Sequence, residues 1–154
     1  MFKTVRRQDR VADQAEAEEI LRGGDYGVLS MNSGDYAYGV PLSYVYTGGC
    51  IYFHCAPEGK KLDLIRDDGK VSFCVVGEAT TLAEQFSVRY KSAVVFGRAV
   101  VVTADDEKLK ALVALIEKYT PTNLENGKKY VHNAHAKTAV IRLDIDHLTA
   151  KARR

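Results

Sequence analysis

The sequence has no tryptophan, only three cysteines and three prolines, and no long apolar run. A membrane-spanning helix needs roughly 18 consecutive apolar residues, and no segment here supplies them. Cys50, Cys55 and Cys74 form no CxxC pair, which disfavours both a disulfide framework and a cysteine-based zinc site. No apolar segment follows the basic N-terminal residues, so no secretory signal is predicted. Together these absences favour a reducing, cytoplasmic location.

The chain also lacks a strong charge of either sign, since 22 Lys and Arg face 20 Asp and Glu for a net charge of +2. This balance disfavours a polybasic nucleic-acid binder and an acidic disordered tail. The chain has 154 residues, of which 46% are hydrophobic, enough to bury a core. No linker or repeat divides it, so we expect one domain over residues 1–154.

Short strands separated by turns dominate the pattern, with helices between some of them. About six strands in this arrangement favour a mainly β fold, an antiparallel barrel with peripheral helices. A doubly wound nucleotide-binding sheet is disfavoured, because no glycine-rich loop joins the first strand to a helix. The expected strands cover residues 26–31, 36–46, 50–54, 70–76, 90–103 and 138–145, and the expected helices cover 13–22, 57–67 and 106–119, while 123–135 is ambiguous.

Single residues predict three local details. Asp13 with Glu16 predicts a capped start of the first helix, and Gly23-Gly24 predicts its end, since glycine permits the left-handed backbone of a helix C-cap. Gly97 predicts a bulge or bend in the fifth strand.

The second expected strand has one face of large residues and one of small residues. Ala37, Gly39, Pro41 and Ser43 leave a flat strip on which a planar ring could lie. A helix or a dimer partner could equally pack there. Proline cannot donate to a ladder, so Pro41 predicts an edge or a bulge. We expect this strand to form a hairpin with the next one, residues 50–54.

A second informative stretch runs from the end of the third strand into a helix. The strand ends at His54, and the helix starts with Gly59, Lys60 and Lys61. Backbone donors at a helix start attract anions, two ammonium groups add charge, and glycine permits close approach. The pattern predicts a phosphate cradle; the alternative is a solvated lysine pair on a surface helix.

Several motifs together resemble the NimA-type (nitroimidazole resistance) branch of the pyridoxamine 5′-phosphate oxidase-like FMN-binding proteins. The resemblance covers nearly the whole chain and implies a split-barrel homodimer with FMN at the subunit interface. The motifs are Arg6-Arg7-Gln8-Asp9-Arg10, Val40-Pro41-Leu42, Ile51-Tyr52-Phe53-His54-Cys55-Ala56, Gly59-Lys60-Lys61-Leu62-Asp63-Leu64, Tyr90-Lys91-Ser92-Ala93-Val94, Gly97-Arg98 and the closing stretch from Ala139 to Thr149.

The resemblance also implies a role for each matching position. Lys60 and Lys61 would hold the FMN phosphate beside Gly59. The sequence departs from the family pattern in small ways, with Cys55 at a position that is more often Ser and Ala150 at one that is more often Gly. The other implied contacts are His54 and Cys55 lining the pocket, backbone groups of Val40, Pro41 and Leu42 along the ring, and a polar contact from Ser92.

The leading functional hypothesis is therefore an FMN-dependent oxidoreductase that reduces a small organic substrate, with nitroimidazole-like nitro compounds as one candidate class. His54 could donate a proton, or make only a structural hydrogen bond at a strand end. The alternative is a non-enzymatic haem- or flavin-binding protein, with His54, His132 or His135 as haem ligand. His132 and His135 alone predict no metal site. Cys74 is expected to be a small core residue.

Overall fold

The computed structural model describes residues 1–154 and contains one seven-stranded antiparallel sheet with four α-helices. The strands are β1 (Gly27–Asn32), β2 (Ala37–Leu42), β3 (Val45–Thr47), β4 (Cys50–Cys55), β5 (Lys70–Leu82), β6 (Ser87–Val101) and β7 (Ala139–Arg153). The helices are α1 (Gln14–Gly23), α2 (Lys60–Asp67), α3 (Asp105–Tyr119) and α4 (Leu124–Ala134).

The sheet curls around a shared core. Its strand order is β2-β1-β5-β6-β7-β4-β3, so two strands separate β4 from β5. Nevertheless Phe53 on β4 and Phe73 on β5 meet edge to face with ring centroids 5.0 Å apart. A flat sheet would hold these rings three strand spacings apart, roughly 14 Å. The prediction of a mainly β antiparallel barrel with peripheral helices is confirmed.

The strand expected over residues 36–46 is in fact two strands, which raises the count from six to seven. The break falls where Tyr44 turns inward and donates its hydroxyl to the carbonyl of Leu21 at 2.6 Å. The Tyr44 amide donates to the Tyr119 hydroxyl, and its carbonyl accepts from Lys118 at 2.9 Å, so neither group is free for a strand ladder. The chain therefore crosses between sheet edges at this corner.

The hairpin expected between residues 36–46 and 50–54 forms only in part. β3 pairs with β4 through a turn in which Gly48 and Gly49 have φ of 59° and 76°, values that favour glycine. β2, which carries the small-residue strip, pairs with β1 instead. β2 is thus an edge strand, as Pro41 predicted, but it does not pair with β4.

Helix α1 begins as the sequence indicates, because the Asp13 side chain accepts a hydrogen bond from the Glu16 amide. Its end has a different cause from the one expected. Gly24 has an ordinary φ of −69°, so left-handed backbone is not the reason for glycine there. A side chain would not fit, since an added Cβ would lie 2.6 Å from the Tyr44 hydroxyl oxygen.

Three strands are longer than expected. β5 and β6 continue past an irregularity between Val76 and Glu78 into an extended hairpin. β7 continues to Arg153 because the pairing of β6 with β7 shifts at Phe96 and Gly97, where a bulge was predicted. The ambiguous segment 123–135 is mostly α4.

Helices α3 and α4 cover only part of the outer surface of the sheet. They pack a second apolar cluster onto Val45 of β3 and Val140 of β7. The outer side of β2, β1, β5, β6 and the second half of β7 carries no helix. None of the helices combines the length and apolar character that crossing a bilayer requires.

Candidate functional site

The start of α2 holds the three residues of the predicted phosphate cradle, Gly59, Lys60 and Lys61, called here the cradle. Gly59 precedes the helix with a φ of 134°, and an added Cβ there would meet nothing within 4 Å. Its carbonyl accepts from the amides of Leu62 and Asp63, at 3.0 and 3.3 Å. The amides of Lys60 and Lys61 have no partner within the helix, as in every first helical turn. Two cations and two free donors therefore surround open space.

Edge strand β2 lies beside this cradle. The Lys60 ammonium sits 4.7 Å from the centre of the Tyr38 ring, a cation–π contact between α2 and β2. Tyr38, Val40 and Leu42 pack their side chains against the core. Beyond Tyr38, β2 therefore offers a ligand chiefly its unpaired backbone edge and the small outward residue Pro41.

Cys55 belongs to the barrel side of β4. It is half-buried and packs against the core, and burial raises the pKa of its thiol, while the nearby Lys61 ammonium lowers it. Because burial is the larger effect, the thiol is held protonated. Cys55 can line the cradle but is not an activated nucleophile.

His54 faces the opposite side from Cys55, since neighbouring residues of a strand point to opposite faces. Its imidazole lines a pocket of about 120 Å³ between β4, α3 and α4, together with His135 and Tyr130. No lysine or arginine lines this pocket. His54 and the cradle therefore lie on opposite sides of the end of β4. The catalytic role that the resemblance implies for His54 stays a prediction.

Ser92 lies apart from the cradle in one protomer. It sits on β6, paired with Val76 and Lys151. Tyr38 of β2 lies level with Gly97 of β6, so Ser92 is five residues farther along β6, roughly 17 Å at the usual rise per strand residue. Ser92 can reach a ligand at the cradle only from a second subunit or along a long ligand.

The outer side of the sheet that no helix covers, called here the outer sheet face, is uncharged at its centre, and the Phe2 ring lies against Phe96 and His147 at one end of it, with ring centroids 5.3 and 4.5 Å away. Cys74 lies there, exposed, so the prediction that it is a core residue is wrong. Its neighbours Phe73 and Val75 take the inward positions of β5. Two cross-strand rows form the face, namely Gly39, Ser30, Ser72, Phe96 and His147, and Pro41, Val28, Cys74, Val94 and Thr149.

A polar network anchors β4 from its outer side. The Tyr52 hydroxyl donates to Glu107 at 3.0 Å, and Arg142 donates to the same carboxylate at 2.7 Å. Burial, followed by the bond to Glu107, raises the pKa of Tyr52 to about 12. The hydrogen bonds to Asp144 and Glu107 raise the pKa of Arg142 further above its usual value. This network ties the start of α3 to β4 and β7.

The sequence analysis did not identify two residues of these sites, Tyr38 and Tyr130, and did not place the candidate ligand His135 beside His54. Tyr38 was visible only as one large residue in an alternating strand. Tyr130 lies in the segment that was ambiguous, and His135 could not be joined to His54 without the topology. The three-residue spacing of His132 and His135 was the one feature of the sequence that drew attention to His135.

The model of the pyridoxamine 5′-phosphate oxidase family matches residues 13–152. An uncharacterized protein of Rhizobium meliloti is 32% identical over 89 residues, which are 58% of this chain and 54% of that protein. The chain thus spans about half the length of this curated relative.

Solved structures share the fold at low identity. A candidate 5-nitroimidazole antibiotic resistance protein from Bacteroides thetaiotaomicron has a TM-score of 0.79 and 23% identity, over 92% of this chain and 85% of that one. A flavocytochrome from Azotobacter vinelandii has a TM-score of 0.82 and 18% identity, over 98% and 72%. An FAD- and haem-binding protein from Mycobacterium smegmatis has a TM-score of 0.81 and 18% identity, over 94% and 74%. Since the family model matches all but the two ends of the sequence, the chain belongs to the pyridoxamine 5′-phosphate oxidase family.

Proposed function

We propose that this protein is an FMN-binding oxidoreductase that reduces a small organic substrate. One observation carries the proposal: Lys60 and Lys61 start a helix whose first turn is joined to the exposed edge of β2 by the contact between Lys60 and Tyr38. Here a positively charged site that can bind an anion lies beside the unpaired backbone edge of β2. This arrangement suits a ligand with a phosphate at one end and a planar polar ring at the other.

The residues present fit such a ligand. Gly59 leaves the space before α2 open, where a side chain would project into it. Ala37, Gly39 and Pro41 on β2 are small and exposed. The backbone of Val40, Pro41 and Leu42 would supply hydrogen bonds along the ring. Lys60 and Lys61 would neutralise the two negative charges of the FMN phosphate monoester.

Some fold relatives support a flavin as well, since one is a flavocytochrome and another binds FAD and haem. The candidate 5-nitroimidazole resistance relative supports nitro compounds of that type as one substrate class. The free cysteines favour a reducing, cytoplasmic location.

We further propose a homodimer in which the outer sheet face meets a second copy. Val28, Val76 and Phe96 are 38%, 57% and 38% exposed on or beside this face, which has the weakly polar character of a subunit contact. A second subunit would also bring a Ser92 to the cradle that this chain's own Ser92 does not reach. The cofactor would then lie at the subunit interface.

A bound flavin supplies electron transfer between a reductant and a substrate at its ring. The side chains and backbone of this protein would hold and orient the flavin. Lys60 and Lys61 bind the phosphate, and the β2 backbone positions the ring. His54 would deliver a proton to the reduced substrate only around the end of β4, because its side chain lies on the opposite side of that strand from the cradle. Cys55, protonated and half-buried, contributes packing rather than covalent chemistry.

A haem-binding protein is the second candidate function, because His54 and His135 line one pocket. The size of that pocket argues against it: about 120 Å³ accommodates a single ring, far less than a porphyrin. The lysine pair also suits a phosphate better than the edge of a haem.

The first test is the visible absorption spectrum of the freshly purified protein, followed by mass spectrometry of the molecule that heating releases. The proposal expects two flavin bands and the mass of FMN. A Soret band would transfer the assignment to haem. A colourless protein that also fails to take up added FMN would overturn the flavin proposal.

A further inference from the structure

The pocket that His54 lines is a second concave site, on the opposite side of β4 from the cradle. Its walls are mainly apolar, contributed by α3 and α4, and its volume is about 120 Å³. An apolar cavity of roughly 150 Å³ in another protein accommodates benzene, so this space suits one aromatic ring. The residues used below are Leu115, Val131, Ala134, His135 and Thr138.

Two polar groups of this pocket, on His135 and Thr138, are hydrogen-bond acceptors, whereas the Tyr130 hydroxyl and the His54 imidazole, which also line it, can donate as well as accept. His135 Nδ1 lies 2.9 Å from the carbonyl oxygen of His132. A carbonyl can only accept, so Nδ1 carries the proton and, in the neutral ring, Nε2 is left as an acceptor. The Thr138 hydroxyl donates to the carbonyl of Ala134 at 3.1 Å, which leaves its oxygen lone pairs. A ligand that bonds either of these two groups must therefore supply the O–H or N–H donor itself.

The same pocket disfavours anions. No lysine or arginine lines it, and its walls are mostly apolar, so a carboxylate or phosphate would lose hydration without gaining a cation. This is the reverse of the chemistry at Lys60 and Lys61. The two sites therefore select different ligands.

We propose that the pocket between β4, α3 and α4 binds a small uncharged aromatic ring that carries an O–H or N–H donor, such as a phenol or a pyrrole-type ring. The ring lies between Leu115 and Val131, and its donor bonds His135 Nε2 or the Thr138 hydroxyl. The inference does not depend on flavin binding, because every group it uses lies outside the cradle.

Ligand titrations followed by NMR test the proposal on the full chain, with and without added FMN. The protein has four histidines, so each imidazole signal can be assigned, and His147 on the outer sheet face serves as an internal reference. Phenol, benzene and benzoate are the probes. We expect saturable shifts of His54 and His135 with phenol, binding about tenfold weaker for benzene, which lacks the donor, and none for benzoate.

Two kinds of variant localise the binding. Ala134→Leu fills the pocket on a helix that tolerates leucine, and should abolish the phenol shifts, whereas Asn133→Leu, exposed on the same helix, should leave them unchanged. The double variant His135→Phe, Thr138→Val removes both acceptors while keeping the side chains similar in shape. It should therefore bind phenol and benzene with equal affinity. If Ala134→Leu folds less stably, the double variant still tests whether His135 and Thr138 bind the donor of phenol.

Three results would overturn the proposal. These are benzoate binding as tightly as phenol, an undiminished phenol affinity in Ala134→Leu, and a phenol preference that persists in the double variant. Because the titration is read without flavin as well, failure of the FMN proposal leaves this test intact.

Discussion

The Lys60 ammonium lies 4.7 Å from the centre of the Tyr38 ring and joins the start of α2 to the sheet edge formed by β2. The contact itself stabilises the protein by about 0.5–1 kcal/mol at an exposed position. Its larger importance is positional, because it places a free cation next to an unpaired backbone edge. The binding predictions below follow from this arrangement.

Replacing both cradle lysines should weaken FMN binding strongly. In Lys60→Ala, Lys61→Ala, two charge-assisted contacts to the phosphate are lost, each typically about 1.5–3 kcal/mol, so we expect at least a hundredfold higher Kd. Quenching of flavin fluorescence measures the Kd. The matched control is Lys128→Ala, Lys129→Ala, an exposed lysine pair on α4. Equal affinities in the two double variants would show that the phosphate lies elsewhere.

A charge on the outer sheet face should separate the proposed dimer. Cys74→Arg places a cation at an exposed central position, where a second copy would bury like charges against each other. Light scattering at micromolar concentration should report a dimer for the wild type and a monomer for the variant. Thr103→Arg, exposed beyond the end of β6, should remain dimeric. A monomeric wild type would contradict the dimer.

Removing the Tyr44 hydroxyl should destabilise the fold. Tyr44→Phe keeps the ring under Lys118, whose Nζ is 3.8 Å from the ring centre, but loses the buried bond to the Leu21 carbonyl. We expect a loss of about 1–3 kcal/mol in the free energy of unfolding, measured with urea. Tyr36→Phe, at a ring 80% exposed, should change it by less than about 0.5 kcal/mol.

Tyr52 should make stability depend on alkaline pH. Burial and the bond to Glu107 raise its pKa from 10.0 to about 12. A pKa raised by folding gives a contribution that is complete below the unfolded value and is lost as pH rises through the folded value. The free energy of unfolding should therefore fall between about pH 10 and pH 12, and fall less in Tyr52→Phe. Tyr26→Phe, at an exposed ring, should retain the wild-type fall.

Two glycines should respond oppositely to alanine. At Gly97 an added Cβ would overlap the Asp144 carbonyl oxygen across the β6–β7 bulge, so Gly97→Ala should cost about 2 kcal/mol or more. At Gly23 an added Cβ meets nothing within 4 Å, and helix propensity favours alanine by about 0.5–1 kcal/mol. Urea unfolding of both variants measures the difference. Similar effects at the two positions would contradict the close approach at Gly97.

Local patterns predicted the parts of the fold that local chemistry decides. The Asp13 cap, the edge position of β2 at Pro41 and the bulge at Gly97 each depend on one residue's backbone or side chain. The lysine pair at the start of α2 was equally visible, because a strand, a turn and a helix follow directly on one another. These features required no knowledge of distant contacts.

The remaining features depend on residues far apart in sequence. Alternation continues unbroken through Ser43, yet the strand breaks there because Lys118 and Tyr119, 74 and 75 residues later, bind the Tyr44 backbone. The pairing of His54 with His135 in one pocket likewise follows from the packing of α4. No window of neighbouring residues contains that information.

The position of β7 between β6 and β4 has a consequence for the order of assembly. The hairpins β1–β2, β3–β4 and β5–β6 can each form from nearby residues, but β4 reaches the remaining strands only through β7, where Cys50 lies opposite Asp144, 94 positions later in the sequence. Contacts of such high sequence separation form slowly. During synthesis the barrel can therefore close only after β7, its last strand, has been made. The cradle at the end of β4 acquires its fixed position only when β7 pairs with β4.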